Sequence, residues 1–168
     1  MRVYDPRMHP VPAHHARFPS ISRLGWLMGL YAENHTRMQR MFAVDELACG
    51  TYRSSTGDGL DLRIDILEQH AYTTALRLSY GLIDPVTGMT DPSANVRLYR
   101  DARQVEATHC YAGRRWQDVI GLYPPPERIL DHRLRMNTFL GKWLNYLAER
   151  GHSAATLQRC DEEIEIDA

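Results

Sequence analysis

Apolar residues recur at Leu24, Leu27, Met28, Tyr31, Met38, Met41 and Phe42, the three-to-four spacing of a helix that buries one stripe. Ser20 stands ahead of this run as a suitable N-cap, so the spacing predicts a first helix from there to about Phe42. The period then drops to two. Leu60, Leu62, Ile64 and Ile66 alternate with Asp61, Arg63 and Asp65, the signature of a half-buried strand. Gly57-Asp58-Gly59 supplies the positive-φ positions of a tight turn and places a partner strand from Thr51 to Ser55. Tyr72, Thr74, Leu76, Leu78 and Tyr80 share one face of the next strand, while Val96, Leu98 and then Val105, Ala107 mark two further short ones. Asp84-Pro85-Val86-Thr87-Gly88 and Asp91-Pro92 are loop. Helical spacing returns at Met136, Phe139, Leu140, Trp143, Leu144 and Leu147, with Asp131 as its N-cap, Gly151 as its stop and Pro124-Pro125-Pro126 as a rigid connector before it.

Consecutive strands joined by short turns pair as antiparallel neighbours, so the expected fold is α+β: an antiparallel meander of four or five strands flanked by an N-terminal and a C-terminal helix. Residues 1–19, with Pro6, Pro10, Pro12 and Pro19 among histidines and arginines, read as an extended or flexible arm. Residues 20–152 form the single domain, and residues 153–168 read as an acidic, disordered tail.

Composition narrows the function classes. The chain has 168 residues and is 43% apolar, enough for one ordinary core. A net charge of −1 provides no global field toward nucleic acid or anionic lipid, so nucleic acid is set aside as a partner unless a local patch serves it. Cys49, Cys110 and Cys160 are odd in number and form no Cys-x-x-Cys pair; they read as reduced thiols, which points to the cytoplasm. Charges and prolines interrupt residues 1–18 where a secretory signal would be apolar, and no run approaches membrane-spanning length.

The strand Val96-Arg97-Leu98-Tyr99-Arg100-Asp101-Ala102, the later Asn137-x-Phe139-Leu140-x-x-Trp143-Leu144, and Tyr123-Pro124 before the last helix together resemble the YqiB-like family, a proteobacterial domain of unknown function. The resemblance runs from the first helix to about His152. It departs from the family pattern at Pro125-Pro126-Glu127-Arg128-Ile129-Leu130, where many members carry a more basic stretch ending in Asp-Glu-Lys; of that ending only Asp131 matches plainly. The resemblance implies a cytoplasmic protein and brings no catalytic residue, cofactor or substrate with it.

Three chemistries are conceivable for the polar residues of this chain. Metal binding at His9, His14 and His15 or at His109-Cys110 lacks chelating spacing and a second shell, so no metal and no cofactor is expected. Nucleophilic or acid–base catalysis finds no recognisable context: Cys110 reads as a small buried hydrophobe, and Asp58, Asp61, Asp65 and Asp101 read as turn or solvent-face carboxylates. Anion recognition is the third, because Arg97, Arg100, Arg103, Arg114 and Arg115 are interleaved with Tyr99, Tyr111 and Trp116, and guanidinium forks with aromatic faces suit phosphates and bases. Arg97 and Tyr99 share the strand face opposite Val96 and Leu98.

The candidate binding residues are Arg97, Tyr99, Arg100, Asp101, Arg115, Trp116 and Tyr123; Asp131, Asn137 and Trp143 read as structural. The leading reading is a non-catalytic interaction or regulatory module with an unknown protein partner or a second copy of itself, since arginine, tyrosine and tryptophan are enriched at interfaces. The alternative is a sensor of an anionic, phosphorylated or nucleotide-like metabolite, and the third a hydrolase without a recognisable motif.

Overall fold

The fold was obtained as a computed structural model that describes residues 22–57, 59–82, 85, 86, 88, 92–111 and 123–160. Helix α1 spans Arg23–Phe42 and is capped by Ser22, whose hydroxyl accepts the Gly25 N–H at 3.0 Å; Ser20 lies outside the described residues. Strands β1 (Gly50–Ser54), β2 (Leu62–Gln69), β3 (Thr73–Tyr80), β4 (Ser93–Tyr99) and β5 (Gln104–Tyr111) follow, then helix α2 (Pro126–Glu149) and strand β6 (Leu157–Cys160). Short 3-10 turns occupy Val44–Glu46 and Ala154–Thr156.

The six strands form one antiparallel sheet in the order β5-β4-β3-β2-β1-β6. The meander is as expected, but the strand count is six rather than four or five. Leu157-Gln158-Arg159-Cys160 has no apolar alternation; β6 exists because the chain returns to the free edge of β1. It falls inside the segment read as a disordered tail. A buried pair of hydroxyl bonds fixes that return: Ser54 Oγ lies 2.8 Å from His152 Nδ1 and 2.7 Å from Thr156 Oγ1.

Both helices cover one face of the sheet. Leu62, Ile64, Ile66, Leu76, Leu78, Val96, Leu98, Val105 and Ala107 point inward and meet Met38, Phe42, Leu140, Leu144 and Leu147. Trp143 is buried there as expected, its ring edge-on to Tyr80 with centroids 5.4 Å apart. Leu24 and Met28, counted with the α1 stripe by spacing, are exposed instead. The N-terminal half of α1 packs in a small cluster of Leu27, Tyr31 and Leu134 that contains no sheet residue, so its apolar stripe is narrower there.

Helix α2 starts six residues earlier than an N-cap at Asp131 would place it. Pro126 is helical, since a first-turn proline sacrifices no intrahelical hydrogen bond. Asp131 is therefore not an N-cap; it lies within the helix and pairs with Arg23 of α1. Tyr72 precedes β3 and is exposed rather than sharing the inner face. No helix among the described residues is long and apolar enough to cross a membrane.

Candidate functional site

Strand β5 is an edge strand, so alternate N–H groups point away from β4. Asn137 of α2 covers one of them: its Oδ1 accepts the Ala107 N–H at 2.8 Å, its Nδ2 donates to the Arg133 carbonyl at 2.9 Å, and its own carbonyl accepts from Asn34 of α1 at 3.0 Å. Asn137, which reads as structural from the sequence, fastens a helix to a sheet edge. Both asparagines are fully buried. This lock sets the distance between α2 and β5, and the space left on the open side of the edge is a cleft.

A register shift shapes the cleft floor. Val96 pairs with Ala107, whereas the neighbouring Asn95 pairs with His109, which leaves Thr108 as an extra residue in β5. Thr108 Oγ1 donates to the Asn95 carbonyl at 3.2 Å. After the bulge Cys110 turns toward the core, where burial pushes its thiol up to about 12, and His109 remains exposed on the open side. The result is a cavity of about 640 Å³ lined by Arg97, Tyr99, Glu106, Thr108 and His109 from the sheet and by Pro124, Ile129, His132, Arg133 and Met136 from the α2 side.

Glu106 organises its polar wall. One carboxylate oxygen accepts from Arg133 at 2.8 Å and from the Tyr31 hydroxyl at 3.2 Å; the other accepts from the Tyr99 hydroxyl at 3.1 Å. Burial, then the Glu106 charge, pushes Tyr31 up to about 12, and the same two causes raise Tyr99, so both phenols stay protonated donors. Arg97 stands directly across the strand pair from Glu106, and its charge opposes the rise at the Tyr99 hydroxyl. Among the described residues it forms no ion pair with a carboxylate. Burial, with Arg135 and His109 nearby, lowers the His132 imidazole, which favours its neutral form. The cleft therefore joins two guanidiniums, two imidazoles and a tyrosine hydroxyl to an apolar wall, with a single carboxylate whose oxygens are already engaged.

The structure brings together only some of the predicted binding residues. Arg97 and Tyr99 line the cleft. Arg100 points to the opposite side of the sheet, donating to Thr74 Oγ1 at 3.2 Å and lying 3.4 Å from Asp45. Asp101 serves its own turn, accepting the Ala102 N–H at 2.9 Å. Tyr123 is 97% exposed beside the lining Pro124. Arg115 and Trp116 lie outside the described residues, as do His9, His14 and His15. Glu106, His132 and Arg133 were missed. The alternation of Glu106 between Val105 and Ala107 puts it on the Arg97 face once β4 and β5 are paired, but nothing local reveals the helix that completes the wall.

A second carboxylate corrects the sequence reading. Asp65 is 5% exposed, not a solvent-face residue. Thr51 and Arg63 donate to its Oδ1 at 2.8 Å each, and Arg77 to Oδ2 at 3.2 Å. Burial alone would raise its pKa, but these bonds outweigh burial and hold the carboxyl below its usual range. Among the described residues no three histidine, cysteine, aspartate or glutamate side chains gather as a metal site.

The family model described as "Protein of unknown function (DUF1249)" matches residues 37–153. The chain belongs to the DUF1249 family. The matched span covers strands β1 to β5, all of α2 and the C-terminal part of α1, so the cleft described above lies wholly on DUF1249 residues except for Tyr31 behind it. No curated protein and no solved structure matches the chain.

Proposed function

We propose that this protein binds a small anionic metabolite in the cleft between β4–β5 and α2, as a sensor or carrier rather than as a catalyst. The observation that supports the reading is the charge around a concave surface: Arg97 and Arg133 line a space whose one carboxylate already accepts from Tyr31, Tyr99 and Arg133, which leaves Arg97 with no carboxylate partner among the described residues. Pro124, Ile129 and Met136 supply an apolar wall, so the ligand carries an anionic group on a flat or apolar body. A nucleoside monophosphate or an aryl phosphate has that form. A cavity of about 640 Å³ holds a molecule of that size.

A thermal-shift screen of the full chain against nucleoside monophosphates, aryl phosphates and aromatic carboxylates tests this. A ligand that binds only the native state raises the melting temperature, and Arg97→Gln and Arg133→Gln abolish the rise. A flat screen contradicts the reading.

A second reading, an interaction module that pairs with another protein or a second copy, draws on Leu24, Trp26 and Met28, large side chains that α1 leaves exposed. Sedimentation of wild type and Trp26→Glu separates it: self-association abolished by the charge supports a dimer, and a monomer at every concentration removes it. The three free thiols and the resemblance to YqiB-like proteobacterial proteins support a cytoplasmic setting for either reading.

A further inference from the structure

A second cleft, of about 660 Å³, lies beside the β4–β5 turn and the C-terminal half of α1 and shares no residue with the first. Its charged lining is His35, Arg40, Asp45, Arg100 and Arg103. Three features set it apart from an ordinary solvated surface.

The charge is unbalanced. Three guanidiniums face one carboxylate, and Asp45 is occupied: Gln39 donates to its Oδ2 at 2.8 Å, and Arg100 Nε lies 3.4 Å from Oδ1. Arg40 and Arg103 have no ion-pair partner among the described residues. Polar atoms are also buried without hydrogen bonds. His35 is 9% exposed and its Nε2 has no partner among the described residues, and Asp45 Oδ1 and Arg100 Nε, though close, lack hydrogen-bond geometry. A buried polar atom is costly to leave unsatisfied, and the His35 nitrogen is such an atom in this cleft, whereas Asp45 Oδ1 and Arg100 Nε meet as an ion pair.

The third feature is backbone strain. Arg103 is held at φ 50°, a left-handed conformation that glycine adopts freely and a long side chain does not. The turn would close more easily with glycine there, so the arginine contributes something other than turn geometry. Its charge reaches His35, where burial first, and Arg103 after it, lower the imidazole against the opposing pull of Asp45.

We propose that this cleft binds a compact oxyanion of the phosphate or pyrophosphate class, gripped by Arg40 and Arg103 with Arg100 at its base. Planar guanidinium forks match the oxygens of a tetrahedral oxyanion, and Asp45 orients Arg100 rather than neutralising the group. Apart from Ala32 every lining residue is polar or charged, which suits an inorganic anion better than an aromatic one.

Calorimetric titration of the full chain with phosphate and with pyrophosphate at low ionic strength tests the proposal, alongside Arg103→Gly, Arg40→Gln and Arg133→Gln. Saturable binding is expected in wild type and in Arg133→Gln, weakened roughly tenfold or more in the first two variants, as loss of a charge-assisted hydrogen bond predicts. Arg103→Gly relieves the strained φ, so it should melt at or above wild type while losing the anion, which separates recognition from folding. No saturable heat in wild type would overturn the proposal. So would undiminished binding by Arg103→Gly, or loss confined to Arg133→Gln, which would put the anion in the first cleft.

Discussion

Asp65 and Glu106 are two carboxylates on the same open face of one sheet, each held by arginine and hydroxyl donors, yet they stand in opposite situations. Asp65, between β1 and β3, is matched by Arg63, Arg77 and Thr51 on strands that lie flat against one another. Its partners bury the carboxylate. Glu106, on an edge strand, draws one partner from β4 and two from helices, and those elements diverge enough to leave a cavity with Arg97, His109 and His132 beside it. Similar donor chemistry thus yields a structural cross-brace at the sheet centre and a recognition surface at its edge. What distinguishes them is whether the carboxylate engages every arginine beside it, and whether the backbone encloses a space.

The sharpest way to break this comparison is to remove each carboxylate's function separately. Asp65→Ala leaves Arg63 and Arg77 facing each other over a buried gap and should cost about 2–3 kcal/mol in chemical denaturation. The contribution depends on pH with a definite sign. The folded carboxyl is depressed below its unfolded value of roughly 3.9, so its stabilisation is complete above that value and disappears as pH falls through the lower, folded one. Denaturation curves of wild type and Asp65→Ala should therefore differ most near neutrality and draw together in acid. A gap that widened on acidification would contradict the arrangement.

Tyr31→Phe removes one of three donors to Glu106 and should cost about 1 kcal/mol, since Arg133 and Tyr99 still satisfy the carboxylate. Smallest of all is Arg97→Gln. An exposed side chain with no carboxylate partner among the described residues should change stability by less than about 0.5 kcal/mol, and any larger loss in a urea melt would make it a structural residue like Arg77.

Much of the fold was legible because its signals are local. The alternation of Leu62, Ile64 and Ile66 with Arg63 and Asp65 marks β2, and its neighbours follow by short turns. Strand β6 was not, because four residues without alternation become a strand only when β1 offers an edge. The site divides in the same way. Arg97 and Tyr99 were found from strand alternation alone, while Arg100, one residue further on, falls at the start of the turn and leaves that face. Arg133 and His132 required knowing that Asn137 binds the Ala107 N–H, a contact across 30 positions that no spacing rule anticipates. Asp65 looked solvent-facing because its face has no helix; its cross-strand neighbours bury it instead.

The most direct test sets the two arginines against each other in one experiment: thermal melts of wild type, Arg97→Gln and Arg77→Gln, each with and without a saturating nucleoside monophosphate or aryl phosphate. The account predicts that Arg97→Gln melts like wild type and loses the ligand-induced rise, whereas Arg77→Gln melts lower and keeps it. A ligand response that survives Arg97→Gln, or vanishes only with Arg77→Gln, would contradict the assignment of recognition to the sheet edge.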